Sequence, residues 1–481
     1  MPGLPILHSK DLVNWEIIGH ALRSQFPDSV RTQHGMGVYA PSIRYHSGEF
    51  YIYLGRSRSG VLFMVKTKDP AGEWEKPVMV VEGLGYIDTT PLWDEDGRCY
   101  LVNGWANSRI GFNGVLTVRE LSADGTRAIG EPCIVFDGDA TGNVTTEGPK
   151  FYKRDGWYWI LCPAGGVAGG WQLAMRSKSP YGPYEWKRVL ERGKTTMNGP
   201  HQGGWIHTKY GEDWFIHFQD KGPYGRVCHL QPVDWSSGWP VMGNAGEPYW
   251  KFRKPKSDSK TIVNPVETDE FDSSKLGMQW QWQNDYKESY GQATSMGFFR
   301  LFTYALPELG DVSNLWYVPN MLLQKTPADE FTATTKLSFC SRNSDQYVGL
   351  VCMSAEYSSV GLQRTEDGYE LQIRHNPNAM RTHLTDEVLT VDTLKPTQKG
   401  TPRKGRPAEM HIKDVYLRMS IKDSKVNYAY SIDGKKWKKA GGEYAMGKGR
   451  WIGSKIGFFA VDPNKTGRKG FIDIDWFRIS R

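Results

Sequence analysis

In the first half of the chain, apolar and aromatic runs recur behind short polar segments that carry a proline. YAPSIRYHSGEFYIYL (39–54), IDTTPLWDEDGRCYLV (87–102) and TEGPKFYKRDGWYWIL (146–161) share one plan, and NGPHQGGWIHTKYGEDWFIHF (198–218) is a looser copy. In each, turn formers such as HSG, DEDG or KRDG separate two stretches of β-forming residues, which predicts strand, hairpin, strand. A second unit alternates with the first: a Ser/Thr-Lys stretch leading to Trp, in HSKDLVNWEII (8–18), VKTKDPAGEWEKPV (65–78) and MRSKSPYGPYEWKRV (175–189), with LQPVDWSSGWPV (230–241) as a weaker fourth. The pattern returns at roughly 50 residues, the period of propeller blades, with the Trp units on the outer strands. Few segments carry a helical period, so the fold is expected to be nearly all-β.

The repeats give four complete inner hairpins, whereas the first outer unit has none before it. The expected architecture is therefore a five-bladed β-propeller whose first blade is incomplete, over residues 1–250. A polar, Lys-rich stretch containing Pro, WKFRKPKSDSKTIVNPVETDE, changes the pattern and predicts a linker over 251–269. From 270 to 481, short strands and turns continue without the period, as in a double-sheet β-sandwich. Two domains suit a chain of 481 residues.

Composition sharpens this picture in three places. Aromatics reach 13%, with 19 Trp and 24 Tyr. Strand packing accounts for aromatics in β-proteins, and sugar rings also stack on them, so both reasons stand. The net charge of +7 is dispersed, and the densest basic run, KPTQKGTPRKGR (395–406), lies between strand-like segments as a solvated loop; nucleic acid is not the expected partner. No apolar run has transmembrane length, and no membrane partner is expected. The six Cys form no CxxC pair and no zinc spacing. No metal ligand or cofactor is expected; a propeller has room for a structural Ca2+, which the sequence does not indicate.

In a propeller the innermost strands line the central channel and begin at one mouth. The repeat puts Tyr39, Asp88, Glu147 and His201 there. Two carboxylates and a His converging near the axis are what glycoside hydrolysis needs: an acid for the leaving oxygen and a base for water. Taken singly, each of these residues is as well explained as a cap on local backbone. Asp94, Glu95, Asp96 and Asp155 are expected to be turn residues.

PGLPILHSKDLVNWEIIGHAL, GVYAPSIRYHSGEFYIY, YIDTTPLWDEDGRCYLVNG, TTEGPKFYKRDGWYWIL, GPHQGGWIHT and FQDKGPYGRVCHLQPVDW, in that order, resemble glycoside hydrolase family 43. Within it they are most similar to the β-xylosidase branch, whose C-terminal sandwich is concanavalin-like. The resemblance implies inverting exo-hydrolysis of terminal β-1,4-xylose from xylo-oligosaccharides, in hemicellulose degradation, with α-L-arabinofuranosides as a further substrate. It implies that Glu147 is the general acid and that Asp88 raises the acid's pKa and orients it. Arg226 and His201 match substrate-contacting positions, and Tyr39 stands where an aromatic faces the sugar. The third carboxylate, the general base, would sit in a Pro-Asp-Pro-Ser-like motif ahead of PGLPILHSKDLVNW, where this sequence has only Met1, so it is expected to be absent from the chain. A non-catalytic sugar-binding protein, or a truncated inactive form, therefore stands beside the enzyme as an alternative. A WD40-type scaffold does not fit, since no blade ends in a WD dipeptide. The partner is a small oligosaccharide; a periplasmic or secreted location fits the substrate, and oligomeric state is left open.

Overall fold

The computed structural model describes residues 3–27, 37–56, 60–305, 314–381, 384–403, 406–464 and 468–481. Met1, Pro2 at the start of PGLPILHSKDLVNWEIIGHAL, and 404–405 of the basic run lie outside them. Among the described residues the one α-helical segment is the single turn Asn107–Ile110.

Eighteen strands build the N-terminal part. They are β1 (Pro5–His8), β2 (Glu16–His20), β3 (Ser42–His46), β4 (Glu49–Arg56), β5 (Val61–Thr67), β6 (Val78–Glu82), β7 (Tyr86–Trp93), β8 (Cys99–Trp105) and β9 (Val115–Leu121). There follow β10 (Cys133–Asp137), β11 (Lys150–Arg154), β12 (Trp157–Ala164), β13 (Trp171–Ser177), β14 (Glu185–Glu191), β15 (His201–His207), β16 (Asp213–Asp220), β17 (Arg226–Asp234) and β18 (Val241–Met242). They form four four-stranded antiparallel blades in chain order, β3–β6, β7–β10, β11–β14 and β15–β18, plus a two-stranded sheet, β1–β2. The β1–β2 pair and the residues flanking it bury Leu4, Ile6, Ala21 and Leu22 against Ile52, Leu54, Phe63 and Val65 of the first four-stranded blade.

The inner hairpins turn as their sequences require. Ser47-Gly48 and Asp155-Gly156 each place two residues at positive φ between paired strand ends, the geometry of a two-residue turn matching strand twist. The entrance to each inner strand is also shared. Regular pairing begins at Ser42, Thr90, Lys150 and Gly204, and the residue two places earlier is left-handed every time: Ala40, Asp88, Gly148 and Gln202. In β7 and β15 this residue lies in a bulge, which re-aims the side chains beside it. The common register is thus set by the left-handed residue rather than by the proline. It makes Tyr39, Ile87, Glu147 and His201 equivalent, with Asp88 one step further in.

Neighbouring blades are tied at the same level. Ser42 Oγ donates to the Thr89 carbonyl (2.6 Å) and Thr90 Oγ1 to the Pro149 carbonyl (2.8 Å). Lys150 Nζ reaches Gln202 Oε1 (3.4 Å). Away from the axis, Trp residues pack between blades: Trp159 meets Trp235 and Trp239, and Arg154 and Arg176 cover Trp faces. Much of the aromatic content is accounted for by this packing.

Residues after 268 form two eight-stranded sheets around one core that includes Trp280, Leu322, Phe339, Leu350, Leu417 and Phe458. The first part of the segment between the domains is held to the propeller. Arg253 pairs with Glu212 (2.7 Å), Lys256 N donates to Glu212 (2.8 Å), and Ser257 Oγ donates to the Lys10 carbonyl (3.2 Å). The 3-10 turn Gly222–Tyr224 docks the fourth blade on the sandwich. Tyr224 Oη donates to the Asp329 carbonyl (3.0 Å) and accepts from Ser424 N (2.8 Å), while Ser454 N donates to the Pro223 carbonyl (2.7 Å).

Candidate active site

The strand entrances bring Asp88, Glu147 and His201 together, and the docking turn adds Arg226. Asp88 is buried, with 6% of its surface exposed, at a φ of 58°. Its Oδ2 accepts a hydrogen bond from Gly148 N at 2.8 Å, the amide next to Glu147. Burial raises the Asp88 carboxyl above its ordinary range. The Glu147 charge adds to this, and Lys150, the Gly148 amide and Gln202 oppose it. Asp88 thus anchors the backbone that carries Glu147 and is close enough to feel its charge.

Glu147 keeps 28% of its side chain exposed, and its Oε1 lies 2.5 Å from His201 Nε2. Which of the two atoms donates depends on the His201 tautomer. His201 is itself 1% exposed, and its ring meets Phe218 with centroids 5.7 Å apart. Lys150, one position into the strand from Pro149, is a buried amine that burial pushes down to about 8 against the attraction of Asp88. It donates to the Gly148 carbonyl (3.3 Å) as well as to Gln202.

Arg226 opens β17 directly opposite Asp220 at the end of β16. Burial lowers its guanidinium from the usual value, and the charges of Asp220, Glu147 and Asp88 oppose that in this order. The guanidinium lies 4.5 Å from the Phe218 ring centroid and 5.7 Å from that of Trp451. Trp451 belongs to the sandwich and is 58% exposed, so the second domain supplies an aromatic face beside the site. Tyr39 is 37% exposed at the equivalent entrance of the first blade.

Asp220, Lys150, Gln202, Phe218 and Trp451 were not among the residues singled out from sequence. FQD, at the start of the motif that carries Arg226, was the available signal for Phe218 and Asp220, and the register places Lys150 and Gln202. Trp451 has no signal in the chain, because only domain docking brings it here.

The site can hold a polar ligand between a fixed carboxylate pair, a cation and aromatic faces, with one carboxylate open to solvent. Residues 1–240 match the family model described as Glycosyl hydrolases family 43. Residues 268–480 match the one described as Beta xylosidase C-terminal Concanavalin A-like domain. A protein of Xylanibacter ruminicola is 34% identical over 465 residues, covering 95% of this chain and 80% of its own length. A protein of Formosa agariphila named beta-xylosidase is 29% identical, covering 99% of this chain and 84% of its own length. A Bacteroides ovatus protein named non-reducing end alpha-L-arabinofuranosidase is 28% identical, with coverage of 90% and 78%. Among solved structures, BlXynB from Bacillus licheniformis superimposes with a TM-score of 0.82 at 27% identity, covering 100% of this chain and 93% of that one.

Proposed function

The chain belongs to family 43 of the glycosyl hydrolases, and on that premise we propose that it removes single terminal β-1,4-linked xylose units from xylo-oligosaccharides, with α-L-arabinofuranosides as a secondary substrate. The observation that carries this reading is the Asp88–Gly148 hydrogen bond, which fixes Glu147 beside a second carboxylate, within reach of whose charges Arg226 lies. Relatives named as a xylosidase and an arabinofuranosidase support the two sugars.

In this reading Glu147, the more exposed carboxylate, gives its proton to the glycosidic oxygen as the bond to the anomeric carbon breaks. Water attacks that carbon from the opposite face and gives its proton to the general base that the mechanism requires there, which inverts the configuration. Asp88 stays inside as the anchor of the acid's backbone and as a standing negative charge. Arg226 donates fixed hydrogen bonds to sugar hydroxyls, supported on Phe218, and His201 holds the resting position of Glu147. Tyr39 and Trp451 offer faces for the ring.

The ring has five blades in this proposal, with β1–β2 as the outer pair of an additional blade ahead of β3–β6. The innermost strand of that blade is where the water-activating base belongs, and no described strand occupies that position. The test is to assay xylobiose and nitrophenyl xyloside while following the anomer first released. Release of the β-anomer from a β-xyloside, or hydrolysis unaffected by Glu147→Gln, would overturn the mechanism.

A further inference from the structure

Outside the propeller, three side chains with metal-binding atoms meet on the sandwich. Cys340 lies in the strand Phe331–Ser341 and His411 in its neighbour Met410–Lys422, directly opposite each other in the ladder. Glu409 is two residues before His411 and shares its face. Met410 and Ile412 point into the core, so Cys340, His411 and Glu409 stand on the outer face of the sheet. Their ligand atoms all lie within 4.8 Å of one another. A cleft of about 270 Å³, lined in part by Cys340, His411, Phe298 and Asp473, opens this place to solvent.

We propose that Cys340 Sγ, His411 Nε2 and one oxygen of Glu409 form a site for a borderline-soft divalent cation of the zinc type, which clamps the two strands together. The donor set selects the ion class: a thiol and an imidazole suit zinc-like ions, whereas Ca2+ and Mg2+ need shells of oxygen. The spacing fits as well. Tetrahedral bonds of ordinary zinc length put the sulfur and nitrogen ligands about 3.6 Å apart, and Cys340 Sγ is 3.5 Å from His411 Nε2. The same geometry asks for about 3.4 Å between nitrogen and oxygen, and His411 Nε2 is 2.9 Å from Glu409 Oε1. The carboxylate has only to back away by roughly half an ångström, giving up that hydrogen bond to the ion.

Arg342 Nε holds the other oxygen of Glu409 at 2.8 Å, the outer contact that orients a ligating carboxylate. The fourth position faces the cleft and takes water. On binding, the Cys340 thiol proton leaves to solvent, the His411 proton resides on Nδ1, and the thiolate and carboxylate charges balance the ion. Without the ion the same three groups form a short hydrogen-bonded cluster between the strands, which is the competing explanation.

The experiment uses the full chain, freed of metal with a chelator and titrated with Co2+. The expected result is one equivalent bound, with a thiolate-to-cobalt charge-transfer band and displacement by Zn2+. Cys340→Ser should abolish the band. His411→Gln and Glu409→Gln should each weaken binding by about tenfold or more, with circular dichroism of the metal-free variants unchanged. Because Cys340 is buried, the half-buried His411 keeps the test decisive if Cys340→Ser fails to fold. Cys133→Ser and Cys228→Ser, at exposed thiols, should change nothing. Absence of the band, its survival in Cys340→Ser, or affinity untouched by His411→Gln would overturn the proposal.

Discussion

Gly225 and Gly453 meet backbone to backbone across the domain boundary. A Cβ on Gly225 would stand 2.6 Å from Gly453 N, and one on Gly453 would stand 2.5 Å from Gly225 N. Gly225 also has a φ of 80°, so two independent reasons exclude a side chain. Arg226 follows immediately, and Trp451 lies two residues before Gly453. The contact therefore sets where an arginine of one domain meets an aromatic of the other. Gly453→Ala should cost about 1–3 kcal/mol of stability, as overpacking does. It should also raise KM for xylobiose more than it lowers kcat. Thermal melts and steady-state kinetics check both; an unchanged KM would mean that the contact is structural alone.

Glu147→Gln should reduce xylobiose hydrolysis by about 10²-fold or more, the usual worth of general-acid help. Nitrophenyl xyloside should lose far less, because its leaving group departs without a proton. Equal losses on the two substrates would remove Glu147 from the acid role.

Asp88→Asn keeps an oxygen for Gly148 N and removes a buried charge. The Asp88 carboxyl is raised in the fold, so the native state holds its proton to higher pH than the unfolded chain does. Its ionisation consequently lowers stability as pH rises through the folded value. The melting temperature of Asp88→Asn at pH 7 should be equal to or above that of the parent, with activity at least about tenfold lower, the low end of a positioning loss. A collapsed melting temperature would make Asp88 a structural residue.

His217 in β16 should make the propeller acid-sensitive. Its ring is buried among Phe215 and His229, and burial pushes it down to about 4 from 6.5. Nε2 has no partner there to receive a charge. Between those two values the unfolded chain binds more protons, so stability is full above 6.5 and is lost as pH falls toward 4. The loss attributable to this one residue is roughly 3 kcal/mol at 1.36 kcal/mol per unit. Denaturant midpoints measured at several pH values should show a weaker slope in His217→Asn; an unchanged slope would place the acid sensitivity elsewhere.

The repeat was legible because turn chemistry and β-forming runs are local, and Ser47-Gly48 and Asp155-Gly156 turn as their residues dictate. The convergence of Asp88, Glu147 and His201 followed from the period. Their register did not, because the prolines stand at different offsets from the left-handed residue that starts each strand. Chemistry made by long-range contact left no trace in spacing. Trp451 comes to Arg226 only through docking. Cys340 and His411 become partners only through strand pairing, which is why no zinc-like spacing was visible among the cysteines. The sandwich showed its class but not its strand order, since alternation identifies a strand without naming its neighbours.

The strand Phe471–Ser480 lies between Phe299–Phe302 and Phe331–Ser341 in its sheet, and Phe477 also pairs with Asp269 at the domain's start. On the ribosome, every other part of the sandwich is made before this strand emerges. Until then the sheet has a central place unfilled, and the strands Phe299–Phe302 and Phe331–Ser341 each have one edge unpaired. The propeller, complete some 230 residues earlier in synthesis, has its own folding time in hand but no wall on which to seat the Gly222–Tyr224 turn. Trp451 reaches Arg226 from a sandwich whose sheet is closed only by residues 471–480, so the site draws on the last-made strand of that domain as well as on the blades that carry the carboxylates.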